Sequence, residues 1–206
     1  MKFLVLLALV AVAFAAPQPK KIFHENFDDF MELIGQEAGD ELEDIIDRYF
    51  EFEEFRKTID YIKTANFKDL VYEMESLPEF KAVLDYLDGH SIDVYYFIDQ
   101  INIMLEYDFD EKKTRQAVSG SDFSSYIKDS IAAFPKEQLA ALYEQKLAED
   151  EDFKAAIEGL QSDEWNEVYS ALWASEQFLA EVNTLAENGI DVSLVIEQMV
   201  AVFGQN

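Results

Sequence analysis

Sliding the chain along itself exposes the feature that constrains it most, an internal repeat with an offset of 98 residues sustained from Glu51 to Gln100. Glu53-Glu54-Phe55-Arg56 followed by Ile59 returns as Glu151-Asp152-Phe153-Lys154 followed by Ile157. Phe67 meets Trp165, Phe80 meets Phe178, and Ile92-Asp93-Val94 meets Ile190-Asp191-Val192, with Ile98 and Gln100 meeting Ile196 and Gln198. Upstream, Phe27 pairs with Phe123 at an offset of 96, so the second copy carries about two extra residues, placed near Pro135. The halves run from Ile22 to Tyr107 and from Ser121 to Phe203. The charged joint from Asp108 to Gly120, ending near Ser119-Gly120-Ser121, reads as a short linker, and the two repeats are expected to share one globular domain.

Within each half the apolar period is helical. Leu42, Ile45, Ile46, Tyr49 and Phe50 follow i, i+3, i+4, i+7, i+8, and Phe67, Leu70, Val71 and Met74 are mirrored by Trp165, Val168, Tyr169 and Leu172. Asn66, Ser162 and Ser175 are candidate N-caps, Pro78 and Pro135 suit a first turn, and Gly89 and Gly189 suit helix stops. Asp93 and Asp191 stand where N-caps of the last helix in each half belong. This predicts an all-α fold of two tandem homologous repeats, about six short helices each, with no alternating strand.

The last helices differ from the rest. Val94, Tyr95, Tyr96, Phe97, Ile98, Ile101, Ile103, Met104 and Leu105 point in nearly every direction around their axis, as do Val192, Leu194, Val195, Ile196, Met199, Val200, Val202 and Phe203. A helix that is apolar all round must be buried or must line something apolar. Helices of this length are only about 15–18 Å long, so a dozen of them wrap a shell rather than stand as one bundle. The middle of that shell is either close-packed or a cavity for an acyl chain. Periodicity leaves both open, and the packed core is the commoner outcome.

Composition removes whole classes of function. Of 206 residues half are hydrophobic, and 43 acidic side chains face 16 basic ones for a net charge of −27. So apolar a chain folds, and so acidic a surface takes no nucleic acid as partner. With no cysteine there is no disulfide, no thiolate nucleophile and no thiolate-bound metal, and His24 and His90 alone are a poor basis for a metal site or a triad. Both histidines read as surface or helix-end residues. No Gly-x-Ser-x-Gly elbow and no phosphate-cradling glycine loop is present. Runs such as Asp40-Glu41-Leu42-Glu43-Asp44 and Glu149-Asp150-Glu151-Asp152 read as solvated helix starts rather than paired catalytic carboxylates. The expectation is no enzyme, no cofactor and no metal. Met1-Lys2, the apolar run Phe3 to Val12 and Ala13-Phe14-Ala15 read as a secretory signal peptide over residues 1–15, cleaved after Ala15.

A leader, then two helical units of about 100 residues, each opening on Phe-x-x-Phe/Tyr, carrying an acidic-acidic-Phe-basic segment and closing on Ile-Asp-Val before an apolar helix, together resemble the insect allergen-related repeat family. That family includes the major cockroach allergens, the mosquito midgut microvillar proteins and the butterfly nitrile-specifier proteins. The two-repeat unit and the Ala-Phe-Ala-Ala-Pro leader end are most similar to the mosquito midgut form. The resemblance implies a helical shell around a large hydrophobic cavity that holds fatty acids or phospholipids, secreted to the gut lumen or microvillar surface. It carries over no catalytic motif. It directs attention to Phe55 and Phe153, Phe67 and Trp165, Phe80 and Phe178, and to Phe97, Ile101, Met104, Val195, Met199 and Val202 as candidate cavity lining. A carrier exchanging lipid with a bilayer would contact membranes transiently and could lyse them. The alternatives are a packed structural or protective gut-lining protein and a nitrile-specifier-like detoxification factor. Lipid identity, entry portal and oligomeric state are left open by the sequence.

Overall fold

The computed structural model describes residues 23–97 and 117–203, of residues 199–203 the backbone alone. The leader, most of the joint, and the candidate residues Ile101 and Met104 lie outside the described residues, and so do the side chains of Met199 and Val202. Ten helices follow one another: α1 (Phe23–Tyr49), α2 (Glu53–Ile62), α3 (Ala65–Ser76), α4 (Pro78–Gly89), α5 (Phe123–Ala132), α6 (Lys136–Glu149), α7 (Glu151–Leu160), α8 (Asp163–Ala174), α9 (Glu176–Glu187) and α10 (Val192–Phe203). A further helix begins at Val94. The protein is all-α, and no strand occurs among the described residues. Helices α2, α3, α4 and the one at Val94 begin 98 residues before α7, α8, α9 and α10.

Among the described residues, 121–203 hold six helices and 23–97 hold five, because the counterpart of α5 and α6 is one 27-residue helix, α1. The difference is a proline: Pro135 lacks an N–H and restricts Phe134 to extended backbone, so the chain breaks there and α6 starts at Lys136 with Pro135 at its N-cap. Gly39 occupies the matching stretch of α1 and lets the helix run through. The acidic run Asp40–Asp44 therefore lies in the middle of a helix rather than at a start, with its acids exposed and Leu42 buried.

Short side chains set the helix starts. Ser162 accepts from Trp165 N at 3.0 Å, Asp150 from Phe153 N at 2.9 Å, Asp122 from Ser125 N at 2.7 Å and Asp191 from Leu194 N at 3.0 Å. One expected cap is corrected. Thr64, not Asn66, caps α3, accepting from Phe67 N at 3.2 Å. Ser175 holds the cap position of α9 without a side-chain bond, and Asp93 turns its carboxylate to His24 instead. The first-half helix stop also moves, since Gly89 is the last residue of α4 and the left-handed residue is Ser91 (φ 61°). Its repeat partner is Gly189 (φ 87°), and beyond each one the next amide closes the same turn, Ile92 N to Leu87 O and Ile190 N to Leu185 O, both at 2.9 Å.

The halves interlock. Phe55 of α2 is fully buried against Phe123 and Tyr126 of α5, with ring centroids 6.2 and 5.1 Å apart. Reciprocally, Phe153 of α7 packs on Phe23 and Phe30 of α1, at 5.9 and 6.1 Å. Each half thus seats the repeat-equivalent phenylalanine of α2 or α7 on the opening helix of the other. Polar bonds follow the same seam: Tyr49 donates to Asp129 at 2.7 Å, Lys146 donates to Asn26 Oδ1 at 2.7 Å and pairs with Asp29, Asn26 donates to Asp150 at 2.8 Å, and Tyr86 donates to Gly159 O at 2.7 Å. One continuous buried cluster draws side chains from all ten helices.

Ser91→Gly is expected to stabilise the protein by about 0.5–1 kcal/mol by relieving a left-handed non-glycine residue. Gly189→Ala should cost at least about 2 kcal/mol, because the added Cβ would also lie 2.3 Å from Thr58 Oγ1. Chemical denaturation reads both. Residues 22–107 and 121–203 expressed as separate peptides should each lack cooperative unfolding by circular dichroism and regain it on mixing, since each leaves its key phenylalanine without a seat.

Candidate functional site: two repeat-related helix faces

Helices α3, α4, α8 and α9 pack in a closed ring, α3 on α4, α4 on α8, α8 on α9 and α9 on α3. In this ring α3 and α8, the same helix in the two repeats, stand diagonally opposed. Each presents a stripe at i, i+4, i+8, which is one face of a helix. On α8 the stripe is Trp165, Tyr169 and Trp173, with neighbouring rings 5.6 and 6.1 Å apart. It is continued by Tyr86 of α4 at 5.4 Å from Trp165 and by Phe178 of α9 at 5.3 Å from Trp173. All three stripe residues are half-buried and keep open surface, and Trp165 and Trp173 pack on the core. On α3 the matching stripe is Phe67, Val71 and Glu75, and all three are buried.

The candidate lining residues divide by the surface they retain. Phe55, Phe67, Phe153, Phe178 and Val195 are nearly or wholly withdrawn from water and wedge helix against helix. Phe80, Phe97 and Trp165 are half-buried and still present apolar surface. Phe97 stands 4.9 Å from Phe27 and 6.3 Å from Phe23, joining the group around Phe153. The structure thus gathers Phe55 and Phe153 at the seam between the halves and Phe67, Phe80, Trp165 and Phe178 on the four-helix ring. A repeat-based reading of the sequence missed Tyr169, Trp173 and Glu75. Their spacing from Trp165 and Phe67 carries the signal, and the offset of 98 sets the carboxyl of Glu75 opposite an indole.

Glu75 is the most unusual group in the ring. It is 5% exposed, and neither carboxyl oxygen has a hydrogen-bond partner among the described residues. Burial alone lifts its carboxyl from the ordinary 4.5 to about 7. It also lies in the last turn of α3, the end of a helix where a negative charge is least welcome. The Trp173 indole N–H, in the last turn of α8, is likewise buried and unpartnered. Nearby, Glu181 of α9 is lifted by burial and by Glu73 of α3, which joins two carboxyls across the ring.

Both histidines stand at helix ends, one of the two places expected, with His24 buried and His90 half-buried. His24 is 4% exposed, its ring pairs with Asp93 and stacks on Tyr96 at 4.0 Å, and its amide donates to Asp93 at 3.0 Å. The pair fastens the start of α1 to the start of the helix at Val94. His90 caps α4, with its ring nitrogen 2.9 Å from Tyr86 O and its face stacked on Tyr86 at 4.0 Å. Its ring fills the space beside Gly159, where a Cβ would come within 2.7 Å. Among the described residues no three acidic or histidine side chains converge as a metal site, and no helix is long and apolar enough to cross a membrane.

The model of the insect allergen related repeat, described with nitrile-specifier detoxification, matches residues 23–196. The chain belongs to the insect allergen-related repeat family. Protein G12 of Anopheles gambiae is 21% identical over 211 residues, an alignment that covers 98% of this chain and 97% of that protein. The family match spans all four helices of the ring and both seam phenylalanines.

The Glu75 carboxyl binds its proton more tightly in the folded than in the unfolded chain. Its neutral form therefore adds stability that is complete below about 4.5 and is lost as pH rises through about 7. Glu75→Gln should flatten this loss, so that the variant exceeds the parent by about 1–3 kcal/mol at pH 8 and by much less at pH 4.5. Denaturant titrations across that range test it.

Proposed function

We propose that this family member is a secreted, non-enzymatic carrier that shields acyl chains of fatty acids or phospholipids in an apolar interior between its two repeats. The observation that carries the reading is the half-buried aromatic stripe Trp165, Tyr169, Trp173, continued by Tyr86 and Phe178. Rings fully wedged between helices have no surface left for a ligand, whereas Trp165, Tyr169 and Trp173 are half-buried and keep apolar surface open. A row of rings about 5–6 Å apart suits an extended hydrocarbon chain, which needs continuous apolar contact and no directional partner.

The energetics require nothing more specific. Removing a chain from water is worth about 0.8 kcal/mol per methylene, so a long acyl chain gains of order 10 kcal/mol gross. Affinity then follows chain length, while the net charge of −27 keeps so apolar a protein dispersed. Engagement of both histidines in helix contacts favours binding over hydrolytic chemistry as the protein's business.

Mild purification of the secreted protein, then organic extraction and mass spectrometry, should yield close to stoichiometric fatty acid or phospholipid. A clean extract would favour the packed, protective reading instead. Replacing Trp165 and Tyr169 together by alanine should weaken binding of a fluorescent fatty acid at least about tenfold, the expected scale for losing two aromatic contact surfaces. Unchanged affinity in a folded variant would move the site away from α8.

A further inference from the structure

The ring joins the two halves through two contacts that the repeat makes equivalent, α4 on α8 and α9 on α3, and these have diverged. The first is fastened. Tyr86 of α4 donates to Gly159 O and shares a hydrogen bond with Ser162 Oγ, both at 2.7 Å, its ring lies 5.4 Å from Trp165, and His90 fills the space beside Gly159. In the second contact Thr184 stands where Tyr86 would, and its hydroxyl donates back to Ala180 O of its own helix at 3.0 Å. Asn188 stands for His90 and likewise donates to Thr184 O, at 2.8 Å. The end of α9 is tied to α2 instead, with Thr58 donating to Asn188 O at 3.1 Å.

Across the body of the α3–α9 contact the duplicated chain has placed acid. Glu181 of α9 and Glu73 of α3 hydrogen-bond to one another, whereas the equivalent positions in the fastened contact are Val83 and Ala171. Two carboxyls share a hydrogen bond only while one of them holds a proton, so ionising both turns attraction into repulsion. Two residues on from Glu73, Glu75 is 5% exposed with no hydrogen-bond partner among the described residues, and once charged it is stabilised by letting water in. Other titratable groups do not offset this. Tyr61 of α2 has its phenol pushed up by burial and by Glu181, and the Lys81 amine of α4 donates to Ser76 O, at the end of α3, at 3.1 Å. Burial alone lifts Glu75, burial and Glu73 lift Glu181, and among the described residues neither α8 nor α10, which also pack on α9, sets a cation against them.

We propose that α3 and α9 form a pH-controlled portal between the repeats, shut while Glu75 and the Glu73–Glu181 pair hold their protons and parting as they ionise, through which the apolar ligand enters and leaves. The inference rests on the carrier reading above and adds where the ligand passes and under what condition. The shut form binds these protons more tightly than the open one, so opening is favoured as pH rises, through about 7 for Glu75.

Hydrogen exchange of the full mature protein, read by mass spectrometry and corrected for intrinsic rates, compares pH 5.5 with pH 8.5. Amides of α3 and α9 should lose protection about tenfold or more, the consequence of roughly one pH unit of difference in proton affinity between shut and open forms, while α4 and α8 stay within about threefold. Diphenylhexatriene, an apolar fluorophore with no titrating group, should leave the protein about tenfold faster at the higher pH on the same grounds. Glu73→Ala with Glu181→Val, which installs the residues of the fastened contact, and separately Glu75→Gln should each shrink both changes at least about threefold. Both variants remove charge and leave the apolar wedges intact. Protection that ignores pH or falls equally in all four helices, or an undiminished fall in either variant, overturns the portal. So does a pH-independent release rate from a protein that holds the probe, and the carrier then stands. Failure to hold the probe at either pH overturns both.

Discussion

Phe55 and Phe153 hold this protein together by being placed in the wrong half. Each ring sits on the opening helix of the other repeat, Phe55 on Phe123 and Tyr126, Phe153 on Phe30 and Phe23. A buried aromatic side chain removes about 150–250 Å² from water, worth several kcal/mol each at about 25 cal/mol per Å². Exposed ion pairs such as Lys57 with Glu53 are screened by water and contribute little, so the aromatic exchange, not the charge pattern, decides how the repeats associate. Without disulfides, that exchange and the hydrogen bonds along the seam are what make two repeats one body.

The exchange also builds the four-helix ring. Because α2 and α7 cross between halves, α3 meets α9 and α8 meets α4, and the repeat-equivalent α3 and α8 end up diagonally opposed. Equivalent positions on them have since diverged. Phe67, Val71 and Glu75 are buried where Trp165, Tyr169 and Trp173 keep open surface. Larger rings on one side and a small β-branched residue and a carboxyl on the other give the ring an aromatic wall and a polar end. The acids elsewhere lie outside, many in first turns such as Glu53-Glu54 and Glu151-Asp152, where they complement the helix dipole.

Much of this was legible in the residues. Period 3.6 and the offset of 98 are local properties of the chain, and helix starts recur at that spacing because the same apolar and capping residues do. What misled was equally physical. Asn66 is a good cap residue, but the cap is chosen by where the apolar face must begin, which made it Thr64 in α3. Gly89 looked like a stop, yet the turn needs a left-handed residue two positions on, and Ser91 takes that conformation because Ile92 must reach Leu87. The burial of His24 was not legible, because nothing in the chain order says that residues 24 and 93 will meet.

The sequence by itself determined an all-helical chain, its duplication, its acidic exterior and the family to which it belongs, since each depends on residue type and spacing along the backbone. Only the tertiary structure decided which apolar residues became wedges and which kept a free face. It alone paired His24 with Asp93, and it alone buried the Glu75 carboxyl and the Trp173 indole N–H with no hydrogen-bond partner among the described residues. Burial is a property of distant chain segments brought together, and a carboxyl on an amphipathic helix shows its character only when its neighbours close over it.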